Sequence, residues 1–227
     1  YCLSKGSSRG SKMNRRVVTL ATMKGGSGKS TIAVCLAAYW WKKGLSIALI
    51  DADPQRSVMR WKATGNALEG LNAEPADYQN VASAISKSLD AGIERIVVDT
   101  PGFRAPVTET ALDMAGLCLI PVRPSPVDFE VAADKVDLIA DLKSTGSKGP
   151  LSYRFLMTQI IRGSVIARHM RQEMEAAGYP LLDAEIHHRV AYAETALMGS
   201  TPSLSQVRGA AAREIAALAA EVDSYME

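Results

Sequence analysis

The sequence predicts an α/β fold in three layers, in which a mainly parallel, twisted sheet carries helices on both faces. Three observations lead to this prediction. Short apolar runs recur along the 227-residue chain, stretches with helical spacing of apolar residues separate them, and no interdomain linker interrupts the pattern. Strands that alternate with helices are joined by right-handed crossovers, which place the carboxyl ends of the strands at one edge of the sheet, where ligands bind.

The predicted strands are nearly continuous apolar runs, as expected for strands that are covered on both faces. They lie at 16–22, 46–50, 93–98, 117–122 and 153–158, with a weaker candidate at 181–186. Helices are predicted at about 30–43, 55–64, 80–91, 105–115, 128–143, 164–177 and 205–225. Gly44 ends the first helix, because glycine readily adopts the left-handed conformation that follows a helix.

Composition and charge narrow the function classes only slightly. Hydrophobic residues make up 47% and charged residues 22% of the chain, which are average values for a globular protein. We expect residues 1–12 to be a vector-derived remnant and residues 13–227 to form one domain. Residues 1–16 contain five of the 26 basic residues and none of the 24 acidic ones, so the remaining chain has a net charge of −3. Overall charge therefore gives no argument for a nucleic-acid partner.

The cysteine spacing argues against a zinc or redox protein, and the length of the apolar runs argues against a membrane-spanning protein. Cys2, Cys35 and Cys118 form no zinc-binding or redox pattern, and we expect Cys35 and Cys118 to be buried free thiols because they lie in apolar stretches. No apolar run reaches the roughly 18–20 residues that span a bilayer.

The stretch ATMKGGSGKST, residues 21–31, nearly matches the phosphate-binding pattern G-x-x-x-x-G-K-[ST] and lies between a predicted strand and a predicted helix. Met23 replaces the first glycine of that pattern. The remaining glycines allow a tight turn that points backbone N–H groups inward, and the start of the helix adds a favourable partial charge. We expect Lys29 to reach the β- and γ-phosphates of a nucleotide and Ser30 to hold Mg²⁺. A glycine-rich turn without a nucleotide is the alternative.

The predicted nucleotide-binding residues of this loop are Lys24, Gly25, Gly26, Ser27, Gly28, Lys29, Ser30 and Thr31. Lys24 is a second lysine that the general pattern does not require, and by itself it also fits a solvated loop residue.

Three aspartates follow predicted strands. Asp51 and Asp53 are two residues apart, so both carboxylates can point the same way from the strand end. Asp99 ends an apolar strand, as in the Walker B arrangement that holds Mg²⁺ directly or through water. Thr100 follows where many ATPases have a glutamate that orients the attacking water. Asp53 is our candidate for that role, with Asp51 closer to the metal, and a solvated loop tip is the alternative. Because aspartate is a short substitute for glutamate, we expect slow intrinsic turnover.

These motifs carry a resemblance to a known family. MKGGSGKST resembles the deviant Walker motif K-G-G-x-G-K-[ST] of the ParA/MinD group of ATPases, and DADPQ and DTPG are similar to its second motif and its Walker B and switch segment. The similarity extends from about Arg16 to the C-terminus. The resemblance implies that Lys24 acts in trans, reaching the partner's ATP across a nucleotide-sandwich homodimer, and that Lys24, Lys29 and Asp53 are the catalytic residues. It also places residues 157–160 and 189–191 near the base.

Basic residues suggest a possible surface for DNA. Arg162, Arg168 and Arg171 lie in a stretch without acidic residues, and Arg189 and Arg208 add to the cluster. Such residues suit contacts to the phosphate backbone without reading of bases. An ordinary solvated helix face fits the same residues equally well. The resemblance favours DNA, because ParA-type dimers bind DNA non-specifically when loaded with ATP.

The resemblance implies a function and its partners. We expect an ATP- and Mg²⁺-dependent homodimer that binds DNA non-specifically and drives partition or positioning of a plasmid, a chromosome region or a protein cargo. A ParB-like or cargo-adaptor protein would stimulate hydrolysis, and the protein would be cytoplasmic and associated with the nucleoid when it holds ATP. MinD-like members end in a basic amphipathic helix, whereas residues 205–227 are alanine-rich and mainly acidic, so we expect no membrane partner. The alternative is a nucleotide-gated scaffold with negligible hydrolysis that binds a partner.

Overall fold

A computed structural model describes residues 15–22, 25–128, 136, 139–141 and 152–227. Within these ranges, six parallel strands form one sheet in the order β3-β2-β4-β1-β5-β6. Their bounds are Val17–Leu20 (β1), Ile47–Asp51 (β2), Ala73–Pro75 (β3), Arg95–Asp99 (β4), Leu117–Val122 (β5) and Ser152–Met157 (β6). The predicted fold class is thereby confirmed.

The helices are α1 (Lys29–Lys42), α2 (Ser57–Thr64), α3 (Val81–Asp90), α4 (Pro106–Asp113), α5 (Val165–Ala176), α6 (Val190–Leu197), α7 (Pro202–Ser205) and α8 (Ala210–Met226), with a 3₁₀ turn at Asn66–Leu68. Of the described helices, none is both long and apolar enough to cross a membrane.

Several predicted elements differ from the structure. Within the weaker strand candidate at 181–186, Leu181 forms an isolated bridge with Phe155, and a second bridge, between Ile160 and His187, lies just beyond the candidate. β3, α6 and α7 were not predicted from the sequence, and the predicted helix at 205–225 begins later, at Ala210. The predicted helix at 128–143 falls largely on residues outside the described ranges.

The core lies on both faces of the sheet. β1 and β5 are buried along their whole length, which explains their continuous apolar sequences. α1 is buried on nearly all sides because it is covered by α8, whose Ile215, Leu218 and Val222 belong to the same apolar cluster. Trp40 of α1 donates its Nε1–H to Asp223 of α8 at 3.2 Å, which joins the two helices. Cys35 and Cys118 are both buried, as predicted, and neither forms a disulfide with a described residue.

The strand order creates the crevice for the site. The chain leaves β1 for β2 on one side of the sheet, and it later leaves β4 for β5 on the other side of β1. The carboxyl end of β1 therefore lies at the switch point, where the connections on its two sides diverge. Leu20 of β1 and Asp51 of β2 are both in register with Asp99 of β4. The loop after β1 and the carboxylates that end β2 and β4 consequently meet at one edge.

Candidate nucleotide-binding site

The loop between β1 and α1 is a tight turn that is held by residues following β6, two strands away in the sheet. Gly26 and Gly28 have φ values of +79° and +89°, in the left-handed region that favours glycine. Two residues that follow β6 bind the loop carbonyls: Thr158 Oγ1 donates to Ser27 at 3.0 Å, and Gln159 Nε2 donates to Gly26 at 2.7 Å. These hydrogen bonds fix the two carbonyl groups. The loop therefore already has a conformation that could surround an anion.

Lys29 is a buried cation at the start of α1. Its Nζ donates a 3.0 Å hydrogen bond to the hydroxyl of Thr22, and its side chain is almost wholly buried. Burial lowers the pKa of Lys29, and the carboxylates of Asp99 and Asp53 oppose that shift. An ammonium group in this setting gains much from an anion, because a neutral hydroxyl compensates only part of the cost of removing it from water.

Asp99 is the most exceptional group at this edge. It is fully buried, and neither carboxylate oxygen accepts a hydrogen bond of normal geometry from the described residues. Burial raises the pKa of Asp99 to about 7, although Ser30 and Lys29 lie near enough to oppose the shift. Buried polar groups without partners are rare and costly. A carboxylate facing a serine hydroxyl offers the oxygen ligands that Mg²⁺ prefers, so the residues present fit this ion.

Asp51 already has partners within the protein. Its carboxylate accepts the backbone N–H of Asp53 at 3.3 Å and that of Met59 at 3.0 Å. Burial raises its pKa, and these two N–H groups oppose the shift, the Met59 group more strongly. Asp51 thus attaches the loop after β2 and the first turn of α2 to the sheet. Asp51 therefore has a structural role, and its role in binding the metal stays a prediction.

A cavity of about 450 Å³ opens over the phosphate loop. Its lining residues are Gly25, Gly26, Gly28, Lys29, Ser30, Thr31, Asp53, Gln55, Ser57, Gly102 and Phe103. We refer to it as the phosphate cavity. It brings together most of the predicted loop residues with Asp53, whereas Asp51 and Asp99 lie beneath its surface. Ser27 is buried, with its hydroxyl 3.5 Å from that of Thr22, and Lys24 lies outside the described residues.

Four lining residues of the phosphate cavity were missed by the sequence analysis. Gln55 ends the DADPQ motif, Ser57 lies two residues after it, and Gly102 ends DTPG, so the motifs gave a usable signal for these three residues. Phe103 gave none, since an aromatic residue in a loop carries no phosphate-binding pattern. Its side chain is 55% exposed.

A second cavity, of about 330 Å³, adjoins the first and shares Gly28 and Thr31 with it. Its remaining lining residues are Ile32, Trp61, Thr158, Gln159, Ile186, His187, His188, Arg189, Tyr192, Ala193 and Ala196. We refer to it as the base cavity. The two segments expected near a base, 157–160 and 189–191, each contribute to this lining. Trp61 and one face of α6 complete it; the start of α6 belongs to the segment expected near the base, whereas Trp61 was not identified from the sequence.

The charges of the base cavity are paired with one another. Glu214 of α8 accepts hydrogen bonds from Arg189 Nε at 2.7 Å and from the Tyr192 hydroxyl at 3.2 Å. His187 Nδ1 lies 3.0 Å from the same carboxylate, a hydrogen bond when that nitrogen carries a proton. Glu214 therefore fixes the loop before α6 and the start of that helix.

The five arginines predicted to contact DNA differ in their surroundings. Arg171 pairs with Glu185 at 2.9 Å and with Glu175 at 3.3 Å, and Arg189 pairs with Glu214. Arg162, Arg168 and Arg208 are exposed, and no ion pair is found for them in the part of the chain that the structure describes. The cluster seen in the sequence is thus partly neutralised by the fold.

The parallel sheet, the glycine loop at its switch point and the adjoining carboxylates define an α/β nucleotide-binding domain of the phosphate-loop class. Comparison with known proteins gives the family. Residues 18–202 match the model of the CobQ/CobB/MinD/ParA nucleotide-binding domain. The chain belongs to this family and is a ParA/MinD-type ATPase.

Individual relatives agree with the family. The chain is 34% identical to protein ParA of Rhizobium radiobacter over 125 residues, 55% of this chain and 56% of that relative. It is 29% identical to the maintenance of carboxysome distribution protein A of Halothiobacillus neapolitanus, with 87% of this chain and 91% of the relative covered. The solved structure of an ATP complex of Cyanothece McdA has a TM-score of 0.74 at 15% identity, covering 94% of this chain and 96% of that one. At this identity, the likeness supports the fold alone.

Proposed function

We propose that this chain is an ATP- and Mg²⁺-dependent dimerising ATPase that binds DNA non-specifically and partitions or positions a cargo. The observation that carries this proposal is the phosphate cavity. There the buried Lys29 ammonium donates its hydrogen bond to a hydroxyl, and the nearby Asp99 carboxylate accepts no hydrogen bond of normal geometry from the described residues. Both groups gain partners from a nucleotide phosphate with its bound cation. The names of the relatives, ParA and a carboxysome distribution protein, support a cargo that is either DNA or a protein assembly.

In this proposal the residues of the loop bind ATP and those beneath it hold the ion. Lys29 and the backbone N–H groups from Gly25 to Thr31 bind the β- and γ-phosphates, and Ser30 and Asp99 hold Mg²⁺, with Asp51 nearby. When bound, Mg²⁺ neutralises charge on the phosphates. The adenine enters the adjoining base cavity, whose wall includes the apolar side chains of Trp61 and α6.

Asp53 performs the proton chemistry. It orients a water molecule and accepts its proton as the water oxygen bonds to the γ-phosphorus. The bond from that phosphorus to the oxygen bridging it to the β-phosphate breaks, which yields ADP and phosphate. Asp53 lines the phosphate cavity, whereas Thr100 donates its hydroxyl to the Leu20 carbonyl at 2.8 Å and offers no carboxylate. With one short carboxylate for this task, slow turnover without a stimulating partner follows.

We propose that Lys24 is required for dimerisation. This role is supported by the sequence motif alone. In the proposed dimer Lys24 reaches the partner's ATP, so Lys24→Ala should keep appreciable ATP binding and lose ATP-dependent dimers. Light scattering with and without ATP measures this loss. Full dimerisation of the variant would contradict the role in trans. An ATP-loaded dimer would join two weak basic surfaces into one, which supports association with DNA and thus with the nucleoid.

The proposed mechanism is tested at Asp53. Asp53→Ala should still bind ATP, because Lys29, Ser30 and Asp99 are unchanged, while hydrolysis should fall by about 10²–10⁴-fold, the usual effect of losing a positioned acid–base group. The measurement is single-turnover hydrolysis at saturating ATP and Mg²⁺, with non-specific duplex DNA present. Asp90→Ala, which removes an exposed carboxylate at the end of α3, serves as the control.

Two outcomes separate the alternatives. If Asp53→Ala turns over like the parent protein, the catalytic assignment is wrong. If the parent itself binds ATP and dimerises without measurable hydrolysis, the chain is a nucleotide-gated scaffold and not an ATPase.

A further inference from the structure

Helix α2 connects the two cavities of the site. It begins at Ser57, which lines the phosphate cavity, and one turn later it presents Trp61 to the base cavity. Residues four apart lie on the same face of a helix, so a single face of α2 contributes one side chain to each cavity. A helical turn is short and stiff compared with a loop, and a displacement at one end is passed to the other.

The first turn of α2 is joined to the loop that carries Asp53. Asp51 accepts the N–H groups of both Asp53 and Met59, and Asp53 accepts the N–H of Gln55 at 2.8 Å. Arg56, which has a positive φ of 53°, donates from its guanidinium to the carbonyl of Ala76 at 2.7 Å and also to that of Asp51. The position of α2 therefore determines where Asp53 stands over the phosphates.

The last turn of α2 is joined to the segment that follows α6. Trp61 donates its indole N–H to the carbonyl of Ser200 at 2.9 Å. Beyond it, two backbones cross closely: a Cβ at Gly199, where φ is +61°, would lie 2.3 Å from the nitrogen of Gly65. A Cβ at Gly65 would lie 2.6 Å from the carbonyl oxygen of Met198. Only glycine at both positions permits this approach.

We infer that Trp61 is a positioning residue for hydrolysis: a base bound between Trp61 and α6 sets the position of α2 and, through it, that of Asp53. The inference rests on the proposed function, because it places the base of ATP in this cavity. Trp61 touches neither water nor γ-phosphate, and acts through the helix. Occupation of the base cavity thereby becomes a condition for efficient hydrolysis, and binding of phosphates alone does not align the catalytic carboxylate.

The first test removes the aromatic wall with Trp61→Leu. Its single-turnover rate at saturating ATP and Mg²⁺ should fall by about ten- to a hundredfold, the scale expected when a reacting group is misplaced by about 1 Å. A residue that only binds the base would raise the Kd for ATP and leave the saturated rate unchanged. An unchanged saturated rate in Trp61→Leu therefore overturns the inference, whatever happens to the Kd.

The second test displaces α2 without touching the cavity. Gly199→Ala forces the crossing apart, and its saturated rate should fall while Lys29, Ser30 and Asp99 are unchanged. Gly178→Ala is the matched control, since Gly178 has a similar positive φ of +77° but nothing within 4 Å of its Cβ position. The control carries the same backbone strain and should keep the parental rate. Equal saturated rates for the two variants overturn the coupling.

Failure of the coupling and failure of the proposed function give different results. A parent protein that hydrolyses ATP, with variants that match it, overturns the coupling alone. A parent protein that hydrolyses no ATP overturns the proposed function, and the coupling falls with it. If Gly199→Ala does not fold, Trp61→Leu decides the question, because Trp61 is only partly buried and its replacement by another apolar residue should not prevent folding.

Discussion

The phosphate cavity and the base cavity lie side by side, but their charged groups are balanced differently. At the phosphate cavity, Lys29 is buried with a hydroxyl partner, and the carboxylate of Asp99 accepts no hydrogen bond from the described residues. At the base cavity, Glu214 contacts Arg189, His187 and Tyr192 at 2.5–3.2 Å. The phosphate cavity therefore has buried charged groups that a charged ligand could bind, whereas the arginine of the base cavity is already neutralised by Glu214.

This difference separates binding charges from structural charges. A buried charge without a partner destabilises the protein, so it persists where a ligand supplies the partner. A buried charge that is matched within the fold contributes to the shape of the site. The same distinction applies to the arginines. Arg171 and Arg189 belong with Glu214 among the matched groups, whereas Arg168 is exposed and resembles the binding groups in having its charge available.

The largest effect is expected from removing the unmatched carboxylate with Asp99→Asn. Between the ordinary value of 3.8 and its raised pKa of about 7, Asp99 keeps a proton in the native state that the unfolded state releases. The unfolded state then binds fewer protons, so the stability of the metal-free protein falls as the pH rises through this window and levels off above it. Asparagine does not titrate, so the variant does not lose stability as the pH rises through this window. The stability advantage of the variant should grow by about 2–3 kcal/mol between pH 5 and pH 8.

Urea unfolding of parent and variant in a chelator at the two pH values measures this difference. Asp90→Asn, an exposed site, is the control and should follow the parent at both. Added Mg²⁺ with ATP should stabilise the parent more than Asp99→Asn, which keeps Lys29 and the loop but lacks the carboxylate proposed to hold the ion. A stability difference that is independent of pH would show that Asp99 is ionised and matched in the native state, and the contrast between the cavities would disappear.

The phosphate cavity was largely predictable from the sequence because its parts are contiguous or end strands. GGSGKST occupies one loop, and parallel strands bring their last residues to the same edge, so Asp51 and Asp99 could be placed together in advance. The role of Asp53 was proposed because Thr100, and not a glutamate, follows Asp99; the family motif agrees with it, and it stays a prediction. Geometry beyond this was not predictable: nothing in the spacing indicates that Asp51 binds the N–H of Met59.

The base cavity was predicted only in outline because it is assembled from distant segments. Trp61 lies on α2, and the other wall is α6, an eight-residue helix whose exposed Val190 and Leu197 hide the apolar spacing expected of a packed helix. The pairing of Arg189 with Glu214 joins residues 25 apart. A list of arginines contains no information about such partners, so the sequence alone could not distinguish the paired arginines from the exposed ones.

A smaller effect is expected in the matched region, from Glu214→Gln. The substitution leaves Arg189 and His187 without their carboxylate, and the free energy of unfolding should fall by about 1–2 kcal/mol, since these contacts are only partly buried. The affinity for ATP should decline moderately through the loosened wall of the base cavity, with the response to Mg²⁺ unchanged. Thermal unfolding and ATP titration measure the two effects.

Glu221→Gln is the matched control for Glu214. Glu221 also lies on α8 and accepts the N–H groups of Asp183 and Ala184, both at 2.8 Å, but it does not adjoin the base cavity. Its substitution should lower stability without lowering the affinity for ATP. Equal losses of affinity in both variants would mean that Glu214 acts only on general stability.

The smallest effect distinguishes two arginines on one helix. Arg168 and Arg171 lie on one face of α5, but Arg171 is held by Glu185 and Glu175, whereas Arg168 is exposed. If exposed arginines contact DNA phosphates, Arg168→Ala should flatten the log–log dependence of DNA affinity on salt by about 0.9, the contribution of one contact to duplex DNA. Arg171→Ala should change that slope little and should mainly lower the melting temperature.

The salt dependence of DNA affinity is measured for both variants at saturating ATP. The comparison tests whether the ion pairs of Arg171 stay closed when DNA binds. Binding of Arg171 to a phosphate requires it to leave two carboxylates, which then face the DNA and repel it, so the net gain in affinity is small. Equal flattening in both variants would mean that the ion pairs of Arg171 open on the DNA, and the distinction between matched and available charge would not extend to this surface. No flattening in either would assign the face of α5 to ordinary solvated surface and leave Arg162 and Arg208 as the remaining candidates.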